Sequence, residues 1–354
     1  MWYFKTQKGS DMVTKIGLDL GYANIAISDA SLEVDREPSI AIIDKNTRRI
    51  VSVGRDALSP ENAALGILVR PFKNGILYSA EFTKEIIRAA LKAVQTSDNV
   101  RAVVGVSSSF NSKQVSELAL MFYDEGVKEC FFVNRAIAGL IGAGYAPTIS
   151  AVSVNVGASK TEIAVLYRGD IIYSDSVDIG GEAFDEAVQE YILEQGELNI
   201  SLVDAKAIKE GIGSVWEGRN ADPITITGTL ALTGNKIKMS VSSEDILGVF
   251  EKPLLRFIQA VADAVKRIPI DYVEEIFANG IVFTGGGTEL FGLDKMLAKV
   301  LGVSVTTANN PIDCVARGLS LVNAFLPIKM RNNGKNITAQ LAKYYKSNNK
   351  NDRG

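Results

Sequence analysis

The sequence predicts an α/β protein of two similar halves, and three observations carry that prediction. Residues 15–27 read KIGLDLGYANIAI, with Ile16, Leu18 and Leu20 alternating with small or polar residues. That is the period-2 signature of a strand with one buried face. The run meets a turn at Gly21-Tyr22-Ala23-Asn24 and resumes as Ile25-Ala26-Ile27, which makes a hairpin. Residues 153–165, SVNVGASKTEIAV, repeat the strand–turn–strand pattern, with Asn155 standing where Asp19 stood. Finally, Ile281-Val282-Phe283 runs into Thr284-Gly285-Gly286-Gly287-Thr288 and then helical spacing from about 290 to 301. A strand feeding a glycine turn and a helix start offers backbone to a flat or anionic group.

The hairpins suggest a ligand. Gly21 lets the backbone approach something bulky and turns N–H groups toward it. Asp19 beside such a turn suits a hydrated cation, and phosphate with Mg2+ is the natural tenant. The bland alternative is a solvated turn aspartate, since Asp-x-Gly is common. Two such hairpins a domain apart favour two halves clamping one ligand.

Composition bounds the rest. A chain of 354 residues suggests roughly two or three domains. Apolar and charged fractions of 47% and 22% are those of a soluble globular protein. A net charge of −3 gives no basic field for nucleic acid. There is no histidine, which excludes histidine triads and histidine-ligated zinc. Cys130 and Cys314 lie far apart in apolar contexts, as buried free thiols of a reducing cytoplasm would. No apolar run reaches the roughly 18 residues of a spanning helix, and the start, MWYFKTQKGS, lacks the apolar core of a signal peptide.

In order, residues 1–11 form an aromatic-basic arm. Strands are expected at 40–43, 50–53, 101–106 and 130–133, and helices at 82–94, 112–126 and 136–144. Apolar strands alternating with helices imply sheets covered on both faces. After the second hairpin, 183–194 and 201–215 read as helices, 224–241 as strands around Thr-Gly turns, and 243–268 as one long helical stretch. A last helix spans 313–325. The end, 328–354, has seven basic residues against Asp352 alone, a composition that favours a mobile tail. Two motif tests fail. Ser159 replaces the glycine that precedes a P-loop lysine, and Gly285-Gly286-Gly287 lacks the dinucleotide spacing.

Taken together, the motifs resemble the phosphate-1, phosphate-2 and adenosine motifs of the actin/Hsp70/sugar-kinase ATPase superfamily. Within it the chain resembles the bacterial actin MreB over about 13–325. The matches are IGLDLGYAN (16–24), RPFKNGIL (70–77), the helix ending Ile141-Gly142-Ala143-Gly144, TEIAV (161–165), TGGGTELFGLD (284–294) and PIDCVARG (311–318). The resemblance implies an actin-like ATPase fold, with two lobes, each with a ribonuclease-H-like βαβ core, and four subdomains. Subdomain IA would take 12–36, 76–149 and 319–345; IB 37–75; IIA 150–186 and 247–318; IIB 187–246; and 1–11 and 346–354 would be flexible ends. It implies ATP or ADP with Mg2+ in the cleft, held by Asp19 (to the metal, through water), Gly21, Tyr22, Ala23, Asn24, Gly157, Ala158, Ser159, Lys160, Thr161, Gly285, Gly286 and Gly287. Lys209 and Glu210 resemble adenosine-side contacts. Protofilaments of the chain itself are implied, with other family members as further partners, in the cytoplasm at the inner membrane face.

The departures are as informative as the matches. The phosphate-2 aspartate of the family is here Asn155. The Glu-Glu-Pro of the family is here Asn134-Arg135-Ala136, and its second glutamate is the one expected to orient the attacking water. Arginine only donates hydrogen bonds, so Arg135 cannot accept from water. An amide at 155 brings no charge to a Mg2+ shell, and Tyr22 stands where the family has a small residue. The membrane loop of the family is replaced by the short polar Gln95-Thr96-Ser97-Asp98-Asn99. Trp2-Tyr3-Phe4 with Lys5 and Lys8, or the basic tail, offers another membrane contact, with a frayed N-terminus as the bland alternative. The chain therefore reads as a paralogue with altered catalytic residues, like those of wall-less helical bacteria. It is expected to bind ATP-Mg2+ and polymerise with weak or absent ATPase activity, serving cell shape or motility. The alternative is a fully active polymerising ATPase. An Hsp70-type chaperone fits less well, with no separate substrate domain in view. So does a sugar kinase, which would need a catalytic acid and an acid–amide sugar cluster.

Overall fold

The structure, a computed structural model, describes residues 13–70, 72–73, 76–77, 79–94, 99–327 and 334–351. The aromatic arm at Trp2-Tyr3-Phe4, the loop residues 95–98 and the tail residues 328–333 and 352–354 lie outside the described residues. The chain divides into two compact units. Unit 1 takes Met1–Ser150, Leu166–Ile171 and Ile312–Gly354; unit 2 takes Ala151–Val165 and Ile172–Pro311.

Unit 1 is built on a five-stranded sheet in the order Glu129–Asn134, Val100–Val106, Thr14–Leu20, Asn24–Ser28, Val34–Pro38. Thr14–Leu20 pairs antiparallel with its hairpin partner on one side and parallel with Val100–Val106 on the other. Alternation along Thr14–Leu20 divides its side chains between two faces. Ile16, Leu18 and Leu20 share a core with the helices Ala80–Ala93 and Ser112–Asp124. Gly17 faces the other way, and a Cβ there would come within 2.4 Å of the Ser320 nitrogen on the helix Cys314–Phe325. That helix also crosses Arg135–Gly142 in backbone contact. A Cβ on Gly142 would sit 1.8 Å from the Cys314 carbonyl oxygen, and one on Gly318 would sit 1.8 Å from that of Ala138. A smaller sheet, Ile50–Val53, Ala41–Asp44, Gly66–Val69, completes this unit's main architecture.

Unit 2 repeats the plan. Its sheet runs Asp170–Val177, Thr161–Tyr167, Ala151–Val156, Ile281–Thr284, Val305–Thr307. The central strand again has its hairpin partner on one side and parallel strands on the other. A three-stranded sheet, Leu198–Asn199, Ile224–Leu230, Lys236–Val241, forms the unit's second part.

The structure differs from the sequence expectations at three places. The helical stretch 243–268 is two helices, Ser243–Ile246 and Glu251–Val265, broken at Gly248 with φ of 109°. The helix expected from 290 begins at Leu293, after the 3-10 turn Gly286–Glu289. The tail carries a helix, Leu341–Asn351, because buried Ile337 and Leu341 and the Tyr345 ring, 5.6 Å from Phe325, tie it down. The helix Cys314–Phe325 lies whole in unit 1, and the division between the two units falls between Pro311 and Ile312.

Candidate functional site

In unit 1 the first hairpin places Asp19 opposite Ala26 on one neighbour strand and Gly105 on the other. Gly21 permits the tight turn, since a Cβ there would lie 2.5 Å from the Asn24 carbonyl oxygen. Tyr22 packs against the core, and the Arg70 guanidinium lies over its ring at 5.0 Å while Nη1 donates to the Tyr22 carbonyl at 3.3 Å. Arg70 thus braces the turn from outside.

Arg135 opens the helix Arg135–Gly142. Asn134 caps that helix, its Oδ1 accepting from the Ala136 and Ile137 amides at 2.8 and 3.3 Å. The cap is itself held: Asn134 Nδ2 donates to Ser108 Oγ at 2.7 Å, and its amide donates to Thr338 Oγ1 at 2.9 Å. From this fixed start Arg135 reaches back to the hairpin. Its Nε donates to Asp19 Oδ1 at 2.6 Å and its Nη2 to the Leu20 carbonyl at 2.5 Å. The two side chains are 17% and 19% exposed. Gly105 makes the room, since a Cβ there would press on Asp19 Oδ1 at 3.2 Å and Arg135 Cγ at 3.3 Å.

In unit 2 the second hairpin turn is closed by the Gly157 amide donating to the Lys160 carbonyl at 2.8 Å. The Gly157 and Ala158 carbonyls accept from the Gly181 and Glu182 amides, at 3.0 and 2.8 Å, at the start of the helix Gly181–Gly196. Lys160 pairs with Asp178 at 2.6 Å, and Thr161 Oγ1 donates to the Ile179 carbonyl at 2.7 Å. Lys209, on the helix Leu202–Ile212, pairs with Asp185 at 2.6 Å and donates to the Gly181 carbonyl at 2.9 Å. Burial pushes the Asp185 carboxyl up from its ordinary value, with Lys209 pulling it back down. Glu210 is exposed and lies 3.6 Å from Lys206.

The glycine turn meets the same hairpin. Asn155 is in register with Thr284. Gly285, at φ of 85°, lies so close that a Cβ would stand 2.4 Å from the Val156 carbonyl oxygen and 2.9 Å from Asn155 Oδ1. Gly287 packs on Val156, and Thr288 Oγ1 closes the turn onto the Gly285 carbonyl at 2.7 Å. Asn155 is 5% exposed, and its Oδ1 accepts no hydrogen bond among the described residues. Unit 2 therefore gathers Asn155, Gly157, Ala158, Ser159, Lys160, Thr161, Lys209, Gly285, Gly286 and Gly287, while unit 1 gathers Asp19, Gly21, Tyr22, Ala23, Asn24 and Arg135. Sequence reasoning missed Gly105, Asp178, Asp185 and the brace at Arg70. Gly105, Asp178 and Asp185 carry no local motif that marks their role, and Arg70 opens the RPFKNGIL match without that match revealing what its guanidinium holds.

Two repeated units, each with a five-stranded sheet whose central hairpin ends in a glycine turn, define an actin-like ATPase fold. The MreB/Mbl protein family model matches residues 13–328, and the chain belongs to that family. It is 29% identical over 316 residues to the cell shape-determining protein Mbl of Bacillus cereus, covering 87% of this chain and 95% of that one. It is 30% identical over 320 residues to the cell shape-determining protein MreB of Escherichia coli, covering 86% and 91%. Among solved structures it is similar to MreB 5 of Spiroplasma citri bound to AMPPNP, with a TM-score of 0.82, 22% identity, and 88% and 96% of the chains covered. The MamK double helical filament matches with a TM-score of 0.77, 22% identity, and 89% and 100% covered. Among the described residues no helix is long and apolar enough to cross a membrane.

Proposed function

We propose that this chain is a filament-forming member of the family that binds ATP or ADP and hydrolyses ATP weakly or not at all. Nucleotide binding is supported by the two glycine-turn hairpins and by MreB 5 of Spiroplasma citri, solved with AMPPNP and with ADP. The contacts are Asp19, the turns at Gly21 to Asn24 and Gly157 to Thr161, and the glycines at 285 to 287, with Lys209 and Glu210 toward the adenosine. Self-association is supported by the MamK filament. Cell shape or motility is the process that fits, in the cytoplasm at the inner membrane face, with other family members as further partners.

The observation that carries weak hydrolysis is the commitment of Arg135 to Asp19 and Leu20. Water attack on the terminal phosphate needs an acceptor that orients the water. A guanidinium donates only, and Asn155 contributes a neutral amide. Arg135 already supplies a cation at Oδ1 of Asp19, which disfavours the expected Mg2+ at that carboxylate. The test is steady-state phosphate release by wild type, Arg135→Glu, Asn155→Asp and the double variant, with binding of a fluorescent ATP analogue as control. Turnover by wild type at the rate of ordinary MreB proteins would favour the fully active ATPase instead.

A further inference from the structure

Arg135 places a positive charge where a nucleotide site of this kind would otherwise recruit one. A carboxylate beside a polyphosphate repels it, and a divalent cation between them relieves the repulsion. Mg2+ in nucleotide sites keeps several waters and is bound through one or two carboxylates and the phosphates. In unit 1 the carboxylate on offer, Asp19, is held by Nε of Arg135, while Nη2 of the same planar group holds the adjacent Leu20 carbonyl. A fork bound at two points is oriented as a point charge is not.

The arrangement is built into the fold. The start of the Arg135 helix is fixed by the Asn134 cap, which is anchored in turn to Ser108 and Thr338. Gly105 leaves the space through which the side chain reaches Asp19. Arg135 Nε takes Oδ1 of Asp19, and a metal ion drawn to the same carboxylate would meet the guanidinium charge beside it, at the positive end of a helix. Metal and arginine compete for this carboxylate by charge.

We propose that Arg135 is the resident cation of Asp19, and that this protein binds adenine nucleotide equally well with and without Mg2+. The inference rests on the nucleotide-binding reading above. The experiment is equilibrium binding of N-methylanthraniloyl-ATP to the full chain, read by fluorescence, in excess Mg2+ and again in excess EDTA. The two affinities should agree within about threefold. Arg135→Gln keeps a donor but removes the charge, and in EDTA it should bind about tenfold or more weaker than in Mg2+. A loss of about tenfold by wild type on adding EDTA would overturn the inference and leave the nucleotide reading standing. So would an Arg135→Gln protein that binds indifferently to Mg2+, whereas no binding in either condition would overturn both. Should Arg135→Gln not fold, Mn2+ paramagnetic resonance on wild type decides. The ADP complex should hold Mn2+ no more tightly than free ADP, and a hold about tenfold tighter overturns the inference.

Discussion

An arginine at the first position of a helix opposes the helix dipole, at a cost of about 0.3–1 kcal/mol. Asp19 offsets that cost, which is why Arg135 is tolerated there with only 17% of its side chain exposed. Reversing Arg135 to glutamate restores an acceptor for water but sets a second carboxylate beside Asp19, so the variant should need a divalent cation. With Asn155→Asp as well, phosphate release should rise by about 10²–10⁴-fold, the usual worth of a water-positioning base. The double variant should exceed either single, because both serve one transition state. A double variant that binds nucleotide yet releases no more phosphate would contradict this account. The Asp185–Lys209 pair gives a second residue-scale expectation. Burial raises the Asp185 carboxyl, so the folded protein holds that proton more firmly than the unfolded chain. Its contribution to stability is fully present below the unfolded value and is lost as pH rises through the folded one. Wild type should therefore gain on Asp185→Asn as pH falls into the carboxylate range, read by urea unfolding without nucleotide. At neutral pH Asp185→Ala should cost about 3 kcal/mol, the lower end for a broken buried pair, since it takes the counter-charge from Lys209, whose side chain is 11% exposed, and leaves it the Gly181 carbonyl.

At the scale of elements, the crossing of Arg135–Gly142 and Cys314–Phe325 matters because the first helix carries Arg135. Each helix meets the other's backbone through a glycine, so a methyl group at either place has no side chain to push aside. Gly318→Ala should destabilise by about 3 kcal/mol or more, at or beyond the upper end of ordinary overpacking. It should also shift Arg135 and raise the dissociation constant for nucleotide. Unfolding curves and fluorescence binding on the same preparation test both, and a Gly318→Ala protein of unchanged stability would refute the crossing. Here the limits of sequence reading have a physical form. Ile16, Leu18 and Leu20 declare their strand because alternation is local, and SVNVGASKTEIAV declares its hairpin for the same reason. Gly248 hid inside helical spacing because one glycine barely disturbs a hydrophobic period. The Leu341–Asn351 helix hid behind polar composition, since a few apolar anchors hold it. The Arg135–Asp19 bond spans 116 positions and follows from the sheet order, which no local pattern encodes. Sequence could say what Arg135 cannot do, but not what it holds.

At the scale of the whole molecule, assembly requires only that nucleotide bind better to the polymer-competent conformation than to the other. Hydrolysis adds turnover, not affinity. Nucleotide at 100 times its dissociation constant stabilises the form it binds by about 2.7 kcal/mol. That is enough to shift an assembly equilibrium by about a hundredfold. Exposed apolar side chains are present for contacts to bury, Leu58, Leu65 and Leu68 in unit 1 and Val203 and Leu232 in unit 2. Under the proposed weak or absent hydrolysis, this stabilisation should persist for as long as nucleotide stays bound. AMPPNP should therefore support filaments about as well as ATP, by pelleting and by electron microscopy. Filaments grown in ATP should not decay with phosphate release, and removing free nucleotide should dissolve them. The Arg135→Glu, Asn155→Asp protein should behave differently, with filaments that shorten as phosphate appears. Filaments of wild type that form in ATP but not in AMPPNP would show that turnover drives assembly, and the proposal of a binding-driven polymer would fail.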